Sequence, residues 1–264
     1  MKINHFLIVK IFISRIVYKR YSSLTPHSMM NAYLRHVSVD CVLFGFDGTN
    51  LHTLLVEKTG VHEGNNMKLP GRLIHENEDL ETAASNIVEE MTGIKRSNLH
   101  QFKAFGAPDR TSNPNDRAWL EYQVSMDIDR VVTVGFMSTF RISTKLKTFS
   151  TVFNARWVPV NSTPKLIFDH NLILQEAVEY LRQMAQWQPA IIFKLLPPKF
   201  TALQLRKIYE TITGIKIDAR NFHKKISSMP YVKVLDETQT NVSHRAAHYY
   251  KFDKRIYNRM FGQL

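Results

Sequence analysis

The sequence predicts an α+β fold: an α/β/α sandwich over residues 31–188, then a winged helix-turn-helix unit over 189–264. Three observations predict it. Strand-like runs rich in β-branched and aromatic residues surround one helix of clean i, i+3, i+4 apolar spacing at 80–91. Two breaks, Gln188-Pro189 and Leu195-Leu196-Pro197-Pro198, separate the halves. The charge divides at the same place. The net +12 splits into five Lys/Arg and no acid over residues 1–30, 16 Lys/Arg against 18 Asp/Glu over 31–189, and 14 against five over 190–264. A near-neutral middle joined to a strongly basic end suggests a polyanion-binding module attached to something else.

Composition narrows the classes. At 264 residues and 44% hydrophobic content, the chain can bury an ordinary globular core. Its one cysteine, Cys41, excludes an internal disulfide framework and reads as a reduced core residue in a strand. The eleven histidines are scattered, and no Cys/His cluster has zinc-ligand spacing. Residues 1–30 are apolar and basic, but Lys10 and Arg15 interrupt the apolar run, so no integral membrane span is expected. Met29-Met30 directly before the first strand favours an over-extended gene start. An amphipathic surface helix is the second reading and export the third. The whole is expected in the cytoplasm.

The elements follow in order. Residues 37–46 (VSVDCVLFGF) read as a strand, Asp47-Gly48-Thr49-Asn50 as a turn and 51–57 as the return strand. A polar loop at 59–66 leads to a short strand at 67–69. Then comes the helix at 80–91, closed by Thr92-Gly93. Leu80, Ala83, Ala84, Ile87, Val88 and Met91 form its apolar stripe. Strands are expected at 100–105, 130–142 and 155–160, and a helix at 172–187. Residues 108–129 are polar, contain Asn113-Pro114-Asn115, and read as a long loop over one edge.

The C-terminal unit has its own logic. Thr201 is a good N-cap for a helix with an apolar face of Leu203, Leu205, Ile208, Tyr209 and Ile212, closed by Gly214. Asp218 caps a second helix over 218–228, in which Phe222 and Ile226 are i, i+4 and face inward. Arg220, Asn221, His223, Lys224 and Lys225 are then left to project outward. Strands at 231–235 and 248–252, joined by the polar loop 236–245, complete a winged helix. Such a second helix fits the major groove of double-stranded DNA. Arg220 and Asn221 are the base-reading candidates, since Arg pairs bidentately with guanine and Asn with adenine. His223, Lys224 and Lys225 join them on the exposed face, the lysines placed to contact phosphate. Ser243, His244 and Arg245 at the wing tip can reach the neighbouring backbone or minor groove. A homodimer is expected, because winged helices gain affinity from paired half-sites.

Residues 69–94, LPGRLIHENEDLETAASNIVEEMTGI, resemble the Nudix box G-x₅-E-x₇-R-E-U-x-E-E-x-G-U, with U apolar. Anchored on Gly93-Ile94 the spacing matches without a gap. Arg72 stands at the opening glycine, Glu78 at the first glutamate and Asn86 at the arginine. Ile87 stands at the next glutamate, and Glu90 and Met91 at the Glu-Glu pair. The resemblance implies hydrolysis of pyrophosphate linkages with a divalent metal, which needs several hard oxygen donors. Ile87 and Met91 offer none, so no catalytic or metal-ligating residue and no cofactor is expected.

Over residues 33–260 the chain resembles the Nudix-related transcriptional regulators, and within them the arabinose-responsive repressors. The match is carried by VDCVLFGFDG (39–48), LETAASNIVEEMTGI (80–94), FGAPDR (105–110), LIFDH (166–170) and FKLLPPKFTALQLRKIYETITGIKIDARNFHKKI (193–226). The resemblance implies a sensor that binds a sugar or a nucleotide-derived metabolite and thereby controls DNA binding. In such proteins the segment after FGAPDR runs almost directly into the next strand, whereas here residues 111–129 intervene. Lys68, Arg72, Asp109, Arg110 and Arg130 are the ligand-binding candidates. Two other readings stay open: a Nudix pyrophosphohydrolase with a nucleic-acid tether, using Glu78, Glu89 and Glu90, and an adaptor whose wing binds protein.

Overall fold

The computed structural model describes residues 33–58, 66–95, 97–151, 153–240 and 246–262. The extension 1–30 and the wing-tip candidates Ser243, His244 and Arg245 lie outside the described residues. Among those described, no helix is long and apolar enough to cross a membrane.

The N-terminal unit is built on a seven-stranded mixed sheet. Strands β1 (Tyr33–Phe46), β2 (Leu51–Glu57), β3 (Met67–Lys68), β5 (His100–Phe105) and β6 (Val132–Arg141) run in the order β3-β2-β1-β6-β5. Strand β4 (Gly71–His75) pairs with β1, and β7 (Ala155–Pro159) with β2. Strand β1 is the spine. It pairs parallel with β6 from Val37↔Val132 to Phe46↔Arg141, and antiparallel with β2 and β4. From Cys41 to Phe46 it carries no polar side chain, because both faces are covered there. Side chains alternate across a strand, so Val39, Cys41 and Leu43 enter one core while Val42, Phe44 and Phe46 enter the other.

Helix α1 (Leu80–Thr92) covers the first face, capped by the Asp79 carboxylate at its start and by Gly93 at φ 71° at its end. Ala83, Ala84, Ile87 and Val88 are buried as the spacing requires; Met91 is only partly buried. Helix α4 (His170–Trp187) covers the second face with Ile173, Leu174, Ala177 and Leu181. Cys41 is buried and free, and burial pushes its thiol pKa far up, as for an inert core residue.

The expected long loop at 108–129 instead contains a helix, α2 (Pro114–Val124). Asn113 accepts from the N–H groups of Asn115 and Asp116, and Pro114 occupies the first turn, which needs no donor there. Periodicity missed it because it has no apolar stripe: Asp116 is its one buried residue. Helix α3 (Thr144–Thr151) was also unforeseen, its threonines being poor helix formers.

Helix α5 (Ala190–Leu195) leads into the second unit, which holds β8 (Phe200–Thr201), α6 (Ala202–Thr213), α7 (Ala219–Ser227), β9 (Val232–Thr238), β10 (His248–Phe252) and α8 (Lys254–Phe261). Thr201 and Gln204 form a reciprocal capping box at the start of α6. Leu203, expected on its inner face, is instead 54% exposed, displaced by Ala202 and Leu205. Phe222 and Ile226 of α7 are buried, and β8-β10-β9 form the wing sheet. Helix α8, absent from the sequence expectations, closes the base of the wing with the buried ring of Tyr257 against Tyr231 and Phe252. One continuous apolar core runs from the α4 face of the sheet through α5 into α6 and α7.

Candidate functional site: a charged cleft and a basic helix

A cleft of about 340 Å³ opens between the sheet, the end of α1 and α2. Its volume lies at the small end of ligand pockets. The sheet side supplies Ser38, Asp40, Lys68, Gly71 and Arg72, the end of α1 supplies Glu90 and Met91, and α2 supplies Trp119, Leu120, Gln123 and Val124. Arg110, Phe168 and His170 line it as well.

Asp40 organises the charged end. Its Oδ2 lies 3.7 Å from Arg110 and its Oδ1 3.5 Å from His170 Nε2. A lone acid within an apolar strand was the visible signal for it. Asp40 sits opposite Gly71, where a Cβ would stand 2.1 Å from Oδ1, so only glycine lets the carboxylate lie across β4. Arg110 is almost wholly buried. It donates to both carboxylate oxygens of Asp169, at 2.9 and 3.1 Å, and to the Val131 carbonyl at 3.2 Å. The FGAPDR and LIFDH segments therefore meet in one ion pair. His170 Nδ1 accepts from the Leu69 N–H at 3.0 Å, which leaves the proton on Nε2, facing Asp40. Burial lowers the imidazole pKa to about 4, with Lys68 and Arg110 adding to the shift and Asp40 opposing it. It is neutral at pH 7.

Lys68 donates to the carbonyls of Leu69 and Gly71 at 2.8 and 2.9 Å, and burial pushes its pKa down against the pull of Asp40 and Glu90. Glu90 is exposed as a residue, yet its carboxyl is crowded at the cleft. Desolvation raises its pKa although Arg72 and Lys68 oppose the rise. Of the ligand candidates from sequence, Lys68, Arg72 and Arg110 thus line the cleft. Asp109 and Arg130 do not: Asp109 is exposed, and the Arg130 guanidinium donates to the Gly106 carbonyl outside it. Asp40, His170 and the α2 residues had not been singled out.

The box acids do not fit a divalent ion. Arg72 holds both oxygens of Glu78, at 2.6 and 2.8 Å; Asn86 donates to the same carboxylate at 2.9 Å and the His75 N–H at 3.3 Å. Burial opposes ionisation of Glu78, but these hydrogen bonds outweigh it and hold the pKa at about 2. Glu89 points elsewhere, 4.0 Å from Lys95. Of the two apolar residues at acid positions of the box, Met91 lines the cleft and Ile87 is buried in the core beneath the helix. Arg72, standing where the box opens on glycine, is the counter-charge of Glu78, and Glu90 is the one box acid that lines the cleft.

On the second unit, α7 exposes Arg220, Asn221, His223, Lys224 and Lys225 together. Asp218 accepts the Asn221 N–H at 3.0 Å and fixes the start of the helix. Lys225 lies 4.7 Å over the Tyr209 ring, which draws it towards α6.

A family model of the NUDIX domain matches residues 34–181, and one of the NrtR DNA-binding winged helix domain matches residues 192–252. The chain belongs to the Nudix family. Its Nudix domain is followed by a winged helix of the NrtR type, and it is a DNA-binding transcriptional regulator with a Nudix effector domain. Among its relatives is the ADPR responsive transcriptional repressor NtrR of Acinetobacter baylyi, 25% identical over 232 residues and covering 86% of each chain. The crystal structure of Shewanella oneidensis NrtR complexed with a 27mer DNA superposes with TM-score 0.64 at 22% identity, over 82% of this chain and 93% of that one. A MutT/nudix family protein from Enterococcus faecalis gives 0.56 at 19% identity, over 95% and 100%. The expected kinship with arabinose-responsive repressors is corrected: the curated relative's effector is ADPR.

Proposed function

We propose that the Nudix domain is a receptor for ADP-ribose or a closely related nucleotide diphosphate sugar. It binds this effector in the cleft without hydrolysing it, and occupancy changes the grip of the winged helix on an operator. The observation that carries this reading is the engagement of Glu78 by Arg72 and Asn86, with Ile87 and Met91 at two further acid positions. A cleft with that chemistry retains cations for a phosphorylated ligand but lacks the oxygen donors for metal-assisted attack of water. The effector class follows that of the ADPR-responsive relative. Arg220 and Asn221 read base edges, while His223, Lys224, Lys225 and the wing tip Ser243, His244 and Arg245 hold the backbone. The regulator works as a homodimer in the cytoplasm, acting as a repressor on paired half-sites.

The test is a fluorescence-anisotropy titration of operator DNA at several salt concentrations, with and without ADP-ribose, beside an assay for AMP release with magnesium. The expected result is salt-sensitive DNA binding that ADP-ribose shifts, with no AMP released. Rapid magnesium-dependent cleavage of ADP-ribose, abolished by Glu90→Gln, would overturn it.

A further inference from the structure

Helix α2, within residues 111–129, forms a whole wall of the cleft. Trp119 and Gln123 are i, i+4 on one face of α2, and Leu120 and Val124 are the adjacent i, i+4 pair. All four line the cleft, facing the sheet that carries Lys68, Arg72 and Arg110. Leu120 and Val124 pack on the buried cluster of Leu73, Ile128 and Val131, which sets the helix against the sheet. The wall is also anchored ionically. Lys58, buried and outside the cleft lining, lies 3.2 Å from Asp116 and 5.1 Å over the Trp119 ring. The other carboxylate oxygen of Asp116 accepts the Phe168 N–H at 3.3 Å. The indole is therefore held from behind by a cation while it borders the cleft. One turn on, the Gln123 carboxamide makes no hydrogen bond among the described residues. A flat aromatic surface with a free donor-acceptor pair beside it, opposite a cationic wall, matches a ligand with a nitrogenous ring at one end and phosphate at the other.

We propose that the α2 wall is a nucleobase shelf: Trp119 stacks on the purine of the effector and Gln123 pairs with its edge, as a carboxamide pairs with the N6 and N7 of adenine. This rests on the cleft being the effector site, and adds to it the chemistry that selects a nucleotide over a simple sugar phosphate.

The full chain carrying Trp157→Phe and Trp187→Phe leaves Trp119 as the sole tryptophan. It is titrated with AMP, ADP-ribose and ribose 5-phosphate, and calorimetry is run on Trp119→Ala, Trp119→Phe and Gln123→Leu. AMP and ADP-ribose are expected to quench the indole emission, and ribose 5-phosphate not to. Trp119→Ala should weaken both nucleotides at least tenfold, Trp119→Phe by less than about threefold, and Gln123→Leu by several-fold, with ribose 5-phosphate binding unaltered. Gln123 is exposed, so its variant tests the shelf even if Trp119→Ala unfolds. ADP-ribose binding with no quench and unchanged affinity in Trp119→Ala and Gln123→Leu overturns the shelf and leaves the effector reading standing. Quenching and binding by AMP but not ADP-ribose keeps the shelf and removes that effector. Binding of neither nucleotide overturns both.

Discussion

Replacing Arg110 by Met isolates what holds the cleft together. The guanidinium side chain is 4% exposed and faces two carboxylates, Asp169 at 2.9 Å and Asp40 at 3.7 Å, themselves 16% and 7% exposed. Methionine conserves most of the aliphatic volume and removes the charge and every donor. Two acids then remain near each other in a poorly solvated site, where breaking one side of a buried pair costs about 3–5 kcal/mol. With a urea dependence of about 2–3 kcal/mol per molar, the unfolding midpoint should fall by roughly 1–2 M. Asp169→Asn should cost clearly less, because Arg110 retains Asp40 and the Val131 carbonyl. The double variant should be less destabilised than the sum of the singles, giving a coupling of about 1–3 kcal/mol. Equilibrium urea unfolding followed by circular dichroism reads all four proteins. A midpoint for Arg110→Met within about 0.3 M of the parent, or strict additivity in the cycle, would refute the ion-pair account.

Two further outcomes follow from the same geometry. His170 is buried and neutral with its pKa lowered to about 4, so the unfolded chain takes up a proton before the folded one does. Its contribution to stability is therefore intact above about pH 6.5 and declines between about pH 6.5 and 4. Thermal melts should show a loss across that window that is absent in His170→Gln; an identical pH profile in the variant would contradict it. On the winged helix, Arg220→Ala should weaken operator binding by on the order of 1–3 kcal/mol and relax base choice at one position. Unchanged affinity across operator variants would remove Arg220 from a reading role.

What the sequence disclosed divides along a physical line. Elements that bury a stripe announced themselves: α1 through Ala83, Ala84, Ile87 and Val88, α7 through Phe222 and Ile226, and β1 through a run covered on both faces. Helix α2 did not, because its apolar contribution is a single half-buried pair, Leu120 and Val124, and the rest of its hold is a proline start, an Asn113 cap and one buried ion pair, none of which has a period. The cleft was legible only in part. Lys68, Arg72 and Arg110, three of the five charged candidates, line the cleft, whereas Asp109 and Arg130, chosen on the same grounds, are turned away from it by the backbone. The partners Asp40, Asp169 and His170 come from β1 and from the approach to α4, separated by more than a hundred residues. No local pattern joins them. Arg72 was seen as an intruder at a glycine position. Its pairing with Glu78 becomes visible only once β4 and the turn into α1 are placed.

The same arrangement limits how an effector can reach the DNA. Helix α4 begins in the cleft wall, at His170, directly after the Asp169 that holds Arg110. Twelve residues on, about 18 Å along the helix, Arg182 Nε donates to the Ile212 carbonyl at the end of α6, and α6 packs on α7 through Tyr209 and Phe222. The apolar core is unbroken from α4 to α7, and close-packed interiors shift between discrete arrangements rather than deforming smoothly. A phosphorylated ligand that competes with Asp169 for Arg110 acts at the start of that helix and not on α7 itself. It can alter DNA binding only by the difference in its own affinity for the two arrangements. Linkage then demands reciprocity. Whatever factor ADP-ribose imposes on operator affinity, saturating operator must impose the same factor on ADP-ribose affinity. The two titrations are independent measurements of one free energy, and unequal factors would show that ADP-ribose does not act as a reversible equilibrium effector at all.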